Sequence, residues 1–167
     1  IIVMSVMNGF RTELINKIVG FNAHVTVKPY DQAIKSENLK NSTLKDISSN
    51  LVFTNSGESV LINKDYTKGL ILRGYNVNDF KKLKLVQKDS FKGSRNELFE
   101  NNISIGKELS FDLNLKIGDK IMIMSPMGIQ TIVGNLPKQQ SFVVNSIYDS
   151  GLAEFDQNIA FINIETL

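Results

Sequence analysis

Between residues 121 and 147 the sequence carries a single charged residue, Lys138. Two apolar arms, residues 128–133 and 142–147, flank Gly134-Asn135-Leu136-Pro137-Lys138-Gln139-Gln140. Gly-Asn beside Pro is turn chemistry, so the segment predicts a long β-hairpin with Leu136 and Pro137 at its tip. An apolar tip exposed to water marks an interaction site. The other reading is a hairpin folded onto its own domain.

The opening of the chain has helical period. Val3, Met7, Phe10, Leu14 and Ile18 step by three and four, and Arg11, Glu13, Asn16 and Lys17 take other faces. This predicts a helix over residues 1–20, closed by Gly20 as a left-handed C′ residue. No charge precedes Arg11, which fits neither a signal peptide nor, at this length, a full membrane span of roughly 20 apolar residues. Two readings stand: the tail of a longer helix that begins upstream, or an N-terminal core helix. Alternation of Ala23, Val25 and Val27 with His24, Thr26 and Lys28 predicts a strand stopped by Pro29. Residues 36–49 read as a helix capped by Ser36, with Leu39, Leu44 and Ile47 inward. Residues 59–63 and 69–75 read as paired strands, Ser104 as the cap of a short helix to Leu113, residues 116–120 as a turn into a strand over 121–125, and residues 159–164 as a final strand. Helices and strands mix without regular alternation, so the fold class is α+β.

Composition closes off several chemistries. Apolar residues make up 42% and charged residues 22% of 167, an ordinary globular balance. The net charge of +2 gives no reason to expect a polyanion. The lysines and Arg95 of residues 76–103 have only Phe80, Phe91 and Phe99 beside them and no motif, so this stretch reads as solvated surface, with no nucleic acid as partner. Cysteine is absent, which removes disulfides, thiolate metal sites and thiol nucleophiles, and fits an oxidising compartment. Gly69 to Gly74 has the glycine spacing of a phosphate loop, but Tyr75-Asn76 stands where Lys-Ser/Thr is required. His24 is the only histidine, and reads as a surface residue. Asp149, Glu154 and Asp156 are the one carboxylate cluster, which reads as a solvated turn rather than a metal or acid–base site. These observations predict a domain with no catalytic residues and no metal.

Several blocks carry a family resemblance. The segment from Val3 through Asn8-Gly9-Phe10-Arg11 to Leu14 resembles the start of the extracytoplasmic domain of lipoprotein-releasing ABC transporter permeases, the LolC/LolE family, related to the MacB and FtsX permeases. The likeness continues through Gly20-Phe21-Asn22-Ala23-His24, Gly69-Leu70-Ile71-Leu72-Arg73-Gly74, Ile105-Gly106-Lys107-Glu108-Leu109, Leu115-Lys116-Ile117-Gly118-Asp119 and Ser150-Gly151-Leu152-Ala153-Glu154-Phe155-Asp156.

The resemblance implies a MacB-like periplasmic core with two lobes, an α+β lobe built from both chain ends and an inserted β-rich lobe. It implies a stalk helix over 1–20 continuing from a transmembrane helix, a periplasmic domain over 21–167, and a hook hairpin at about 126–143. The location implied is the periplasmic side of the inner membrane of a Gram-negative cell. The partners implied are a LolA-type lipoprotein carrier, the lipoprotein cargo, a second permease copy or paralogue, and a cytoplasmic ATPase subunit of LolD type. ATP would be used there, with no cofactor in this domain. By resemblance the carrier would meet Ile132, Val133, Gly134, Asn135, Leu136, Pro137, Lys138, Gln139, Gln140 and Phe142, and Met4, Met7 and Phe10 would border the lipoprotein entry. Family hooks place Arg near the tip, where this chain has Asn135, Gln139 and Gln140. An FtsX-like regulatory module and a MacB-like efflux domain are the alternative readings.

Overall fold

The computed structural model describes residues 2–30, 44–64, 66–131 and 134–167. They fall in two units, residues 1–53 and 54–167.

In the first unit, α1 (Ile2–Phe21) is the helix that the apolar period predicts. It runs through Gly20, so that glycine does not end it. The Thr12 hydroxyl donates to the Asn8 carbonyl at 2.8 Å, back-bonding one turn within the helix. The strand expected over 23–27 does not form: these residues are irregular, and Val25 and Val27 are exposed. Alternation gives a strand only where another strand offers a ladder, and among the described residues none pairs with this stretch. Of the helix expected over 36–49, only α2 (Leu44–Ile47) is described, and Ile47 is exposed rather than inward. A helix of one turn is too short to fix a buried face. Ser36 and Leu39 lie outside the described residues.

The second unit is built on β1 (Asn55–Asn63), β2 (Tyr66–Tyr75), α3 (Val77–Lys82), α4 (Lys84–Gln87), β3 (Lys92–Gly93), β4 (Asn102–Gly106), α5 (Lys107–Asp112), β5 (Lys120–Thr131), β6 (Gly134–Tyr148), α6 (Ala153–Asn158) and β7 (Ile159–Asn163). Helices and strands are mixed. The strands lie in the order β3-β6-β4-β7-β2-β1-β5, and β5 pairs again with β6. That second pairing closes six strands into a barrel-like ring. The short β3 takes the edge of β6 that β5 leaves free: Lys120 is registered with Val143, and Lys92 with Ile147.

The barrel interior follows from period-two alternation. Leu70 and Leu72, Ile103 and Ile105, Ile121 and Ile123, Phe142 and Val144, and Ala160 and Ile162 all join one buried cluster with Leu61. On β6 the alternation then changes sign. Val144 is registered with Ile103 but Ser146 with Ser104, so Asn145 is an extra residue. A bulge of this kind turns every later side chain to the other face. Ile147 therefore packs on the interior cluster, while Ser146 and Tyr148 join Phe161 on the outside.

That outer face carries an aromatic layer. Phe161 stands 4.7 Å from Tyr148, 5.7 Å from Tyr75 and 5.9 Å from Phe80, centroid to centroid. Phe80 and Phe91 meet at 6.1 Å, and both are buried. The lysine-rich stretch thus spends Phe80 and Phe91 on packing, while Phe99 is exposed. Asn76 caps α3 by accepting the Asp79 N–H at 2.9 Å, and Lys82 donates to Asp79 at 2.6 Å. Ser104 is no helix cap. It lies in β4, fully buried and registered with Phe161, and α5 starts after Gly106 instead. A Cβ at Gly106 would strike the backbone of Asp156, so only glycine lets α6 approach there.

Candidate functional site

The two long strands leave the barrel together. β5 pairs with β1 only from Met122 to Met124, and β6 pairs with β4 only from Val143 onward. Beyond Ser125 and before Lys138 the two strands pair only with each other among the described residues. The result is a two-stranded ribbon free of the sheet at both edges. Residues 126–137 carry no charge.

The predicted turn is displaced. Thr131 is registered with Gly134, and Ile129 with Leu136. The last described pair is thus Thr131 with Gly134, and Gly134 to Gln140 belong to β6 rather than to a loop. Leu136 and Pro137 sit on the arm, not at the tip. Pro137 faces Pro126, Met127 and Gly128, the three residues at which the register shifts. An irregular stretch of edge strand is where a residue without an N–H is tolerated. Ile132 and Val133 lie outside the described residues.

Not every expected contact residue can serve. Phe142 is 2% exposed and registered with Ile121 in the barrel interior, so no partner reaches it. Pro137, Lys138 and Gln139 are exposed and Gln140 half-buried. The Gln140 amide donates to the Asn101 side chain at 3.4 Å, and the Gln139 amide lies 3.9 Å from the Met124 sulfur. Both glutamines are thus partly held by the base of the ribbon.

On α1, Met4 is 74% exposed, Met7 66% and Phe10 65%. Val3, Val6, Ile15 and Ile18 are also exposed, so apolar surface runs around the helix rather than along one stripe. No described helix is long and apolar enough to cross a membrane.

The carboxylate cluster does not gather. Asp149 takes a 3.1 Å ion pair from Lys107 and accepts the Gly151 N–H at 3.0 Å. Burial pushes the Asp149 carboxyl up, but the Lys107 ammonium and the Gly151 N–H outweigh it and hold it below the usual range. Asp156 is buried and accepts the Ser150 N–H at 3.1 Å. Burial raises its carboxyl in spite of that bond. Its task is to tie the 149–152 turn to the first turn of α6. Among the described residues, no three histidines or carboxylates are placed to hold a metal. His24 is exposed.

The described residues thus present a ribbon without charge on a barrel, and a helix with exposed apolar residues. Comparison with known proteins finds relatives of one name. The chain is 24% identical over 169 residues to the lipoprotein-releasing system transmembrane protein LolC of Xylella fastidiosa (strain Temecula1), covering 98% of this chain and 40% of that protein. It is 26% identical over 170 residues to the protein of the same name in Neisseria meningitidis serogroup B (strain MC58), covering 99% of this chain and 41% of the relative. No family model matches. The chain is thus a distant relative of LolC proteins and spans about 40% of their length.

Proposed function

We propose that this chain is the periplasmic domain of an inner-membrane permease that releases lipoproteins and hands them to a soluble carrier of LolA type. The observation that carries this reading is the ribbon between Ser125 and Lys138, which among the described residues pairs with no other strand and which bears no charge. A free two-stranded ribbon is marginal by itself, so its persistence on a packed barrel fits an element kept for a partner. The LolC relatives are by name transmembrane proteins of a lipoprotein-releasing system, and a lipoprotein carrier is the partner this reading gives the ribbon. Exposed Met4, Met7 and Phe10 suit contact with the lipid-bearing end of the cargo, since methionine adapts to irregular apolar surfaces. In this reading the domain has the two lobes of the MacB-like core, the ATPase is a separate cytoplasmic subunit, and the permease works with a second copy or a paralogue. The ribbon favours carrier capture over an FtsX-like regulatory role.

Photo-crosslinkers placed singly at Gln130, Leu136 and Lys138 test it. Carrier captured at these positions and not at Lys64 or Phe111 supports the assignment. Equal capture at all five positions, or none at the ribbon, contradicts it.

A further inference from the structure

Where the ribbon leaves the barrel, β5 carries Pro126 and β6 carries Pro137. Hydrogen bonds fix which way each residue of β6 points. The Val143 N–H donates to Asn101, on the β4 side, and the Val144 N–H donates to Asp119, on the β5 side. β6 continues without an inserted residue through Lys138 and Leu136, registered with Ser125 and Ile129. By alternation, Asn135, Pro137, Gln139 and Ser141 turn their backbone groups to the outer edge. Pro137 therefore stands on that edge with no N–H to give.

The opposite edge is closed in the same way. Met122 and Met124 turn toward β1, registered with Ile62 and Val60. The described pairing with β1 ends at Met124, and Pro126, two residues on, has no N–H to extend it. β1 itself is closed where β5 departs. The Ser56 N–H is taken by the Asn55 side chain at 2.9 Å, and Glu58 is exposed and charged. Proline and charge on an edge are means by which sheets refuse further strands.

We infer that Pro126 and Pro137 form an edge guard that keeps the ribbon from pairing with the ribbon of a second copy of this chain. The need for a guard lies in the ribbon's lack of charge. Residues 126–137 of two copies would meet without repulsion, and Lys138 alone opposes it. The guard acts by breaking the row of outer-edge donors at Pro137, between Asn135 and Gln139.

The test uses the 167-residue chain with Pro137→Val, Pro126→Val and the double substitution, and with Pro137→Ala as a milder form. Sedimentation velocity over a concentration series reads association, and melting curves read folding. The double variant should self-associate at least about tenfold more tightly than the wild type, equivalent to 1.4 kcal/mol. Each single variant should fall between, and the amide hydrogens of Asn135 and Gln139 should exchange more slowly in the associated form. Folded variants that all stay as monomeric as the wild type would overturn the inference. So would association with no added protection on β6. If valine at 137 prevents folding, Pro126→Val and Pro137→Ala decide by the same criterion.

Discussion

Ile129 stands opposite Leu136, two residue pairs from the point where β5 and β6 separate at Thr131 and Gly134. Leu136 is therefore an arm residue of a ribbon that no other described strand covers. Burying a leucine against a partner contributes about 1.5–3 kcal/mol. Leu136→Asp should weaken carrier binding by at least roughly tenfold, as read by calorimetry. Its melting temperature should stay within a few degrees of the wild type, since substitutions away from a core cost little.

The aromatic layer should be far less tolerant. The Tyr148 hydroxyl donates to the Ile159 carbonyl at 2.8 Å inside the packing around Phe161. Tyr148→Phe removes that bond and should cost about 1 kcal/mol, or roughly 2–4 °C in melting temperature. Phe161→Ala opens a cavity among Tyr75, Phe80 and Tyr148 and should cost about 3–5 kcal/mol. Denaturant melts of the two variants check both values. A Phe161→Ala chain as stable as the wild type would contradict the packing described.

Asp149 and Asp156 should pull stability in opposite directions with pH. Burial raises the folded carboxyl of Asp156 above its unfolded value, so its ionised form costs stability near neutrality. That cost is relieved as pH falls through the raised value. Asp149 is lowered in the folded state. Its contribution is present above the unfolded value and is lost as pH falls through the lowered one. Wild-type melting temperature should gain from Asp156 between neutrality and about pH 4 and lose from Asp149 below it. Asp156→Asn should flatten the first limb and Asp149→Asn the second, measured as melting temperature against pH.

Part of the barrel was legible in the sequence from local apolar runs. The β1–β2 hairpin was legible from its two apolar runs, and Lys64, at φ 52°, begins the reversal between them. β7 was legible from its apolar run, and α1 from its period. What failed has specific causes. Residues 23–27 alternate correctly but find no ladder among the described residues. Ser104 has the chemistry of a cap, yet tertiary packing draws it into β4 beneath Phe161. Gly-Asn beside Pro read as a turn, whereas the irregular register at 126–128 lets Pro137 sit in a strand, and Gly134 and Asn135 pair with Thr131 and Gln130. The ring closure by β5 with β6, and the sign change at Asn145, depend on long-range register that no local pattern carries. Of the candidate site, the ribbon itself was legible from its missing charge, while the burial of Phe142 was not.

Salt should have little effect on the complex. Lys138 is the one charge between residues 121 and 147, so few ion pairs are available to be screened. Binding constants measured from about 0.05 to 0.5 M salt should change by less than about fivefold. A steep decline would mean that charges elsewhere on the domain hold the carrier.

The helix makes a separate prediction. Met4, Met7 and Phe10 are exposed and contribute little to the stability of their unit. The proposed function expects photo-crosslinkers at these positions in the full-length protein to capture lipoprotein, and crosslinkers at Lys88 or Lys92 not to. Phe10→Asp should reduce lipoprotein release while leaving carrier binding by the isolated chain within about twofold, a difference under about 0.5 kcal/mol.

The measurement closest to the central claim is carrier binding by a chain in which Ser125 and Lys138 are joined through a two-residue Asn-Gly turn. Those residues are already a registered pair, so the shortened hairpin keeps the barrel's own ladder. The account predicts an unchanged melting temperature and no measurable binding at carrier concentrations that saturate the wild-type chain. Wild-type affinity in the shortened, folded chain would contradict it.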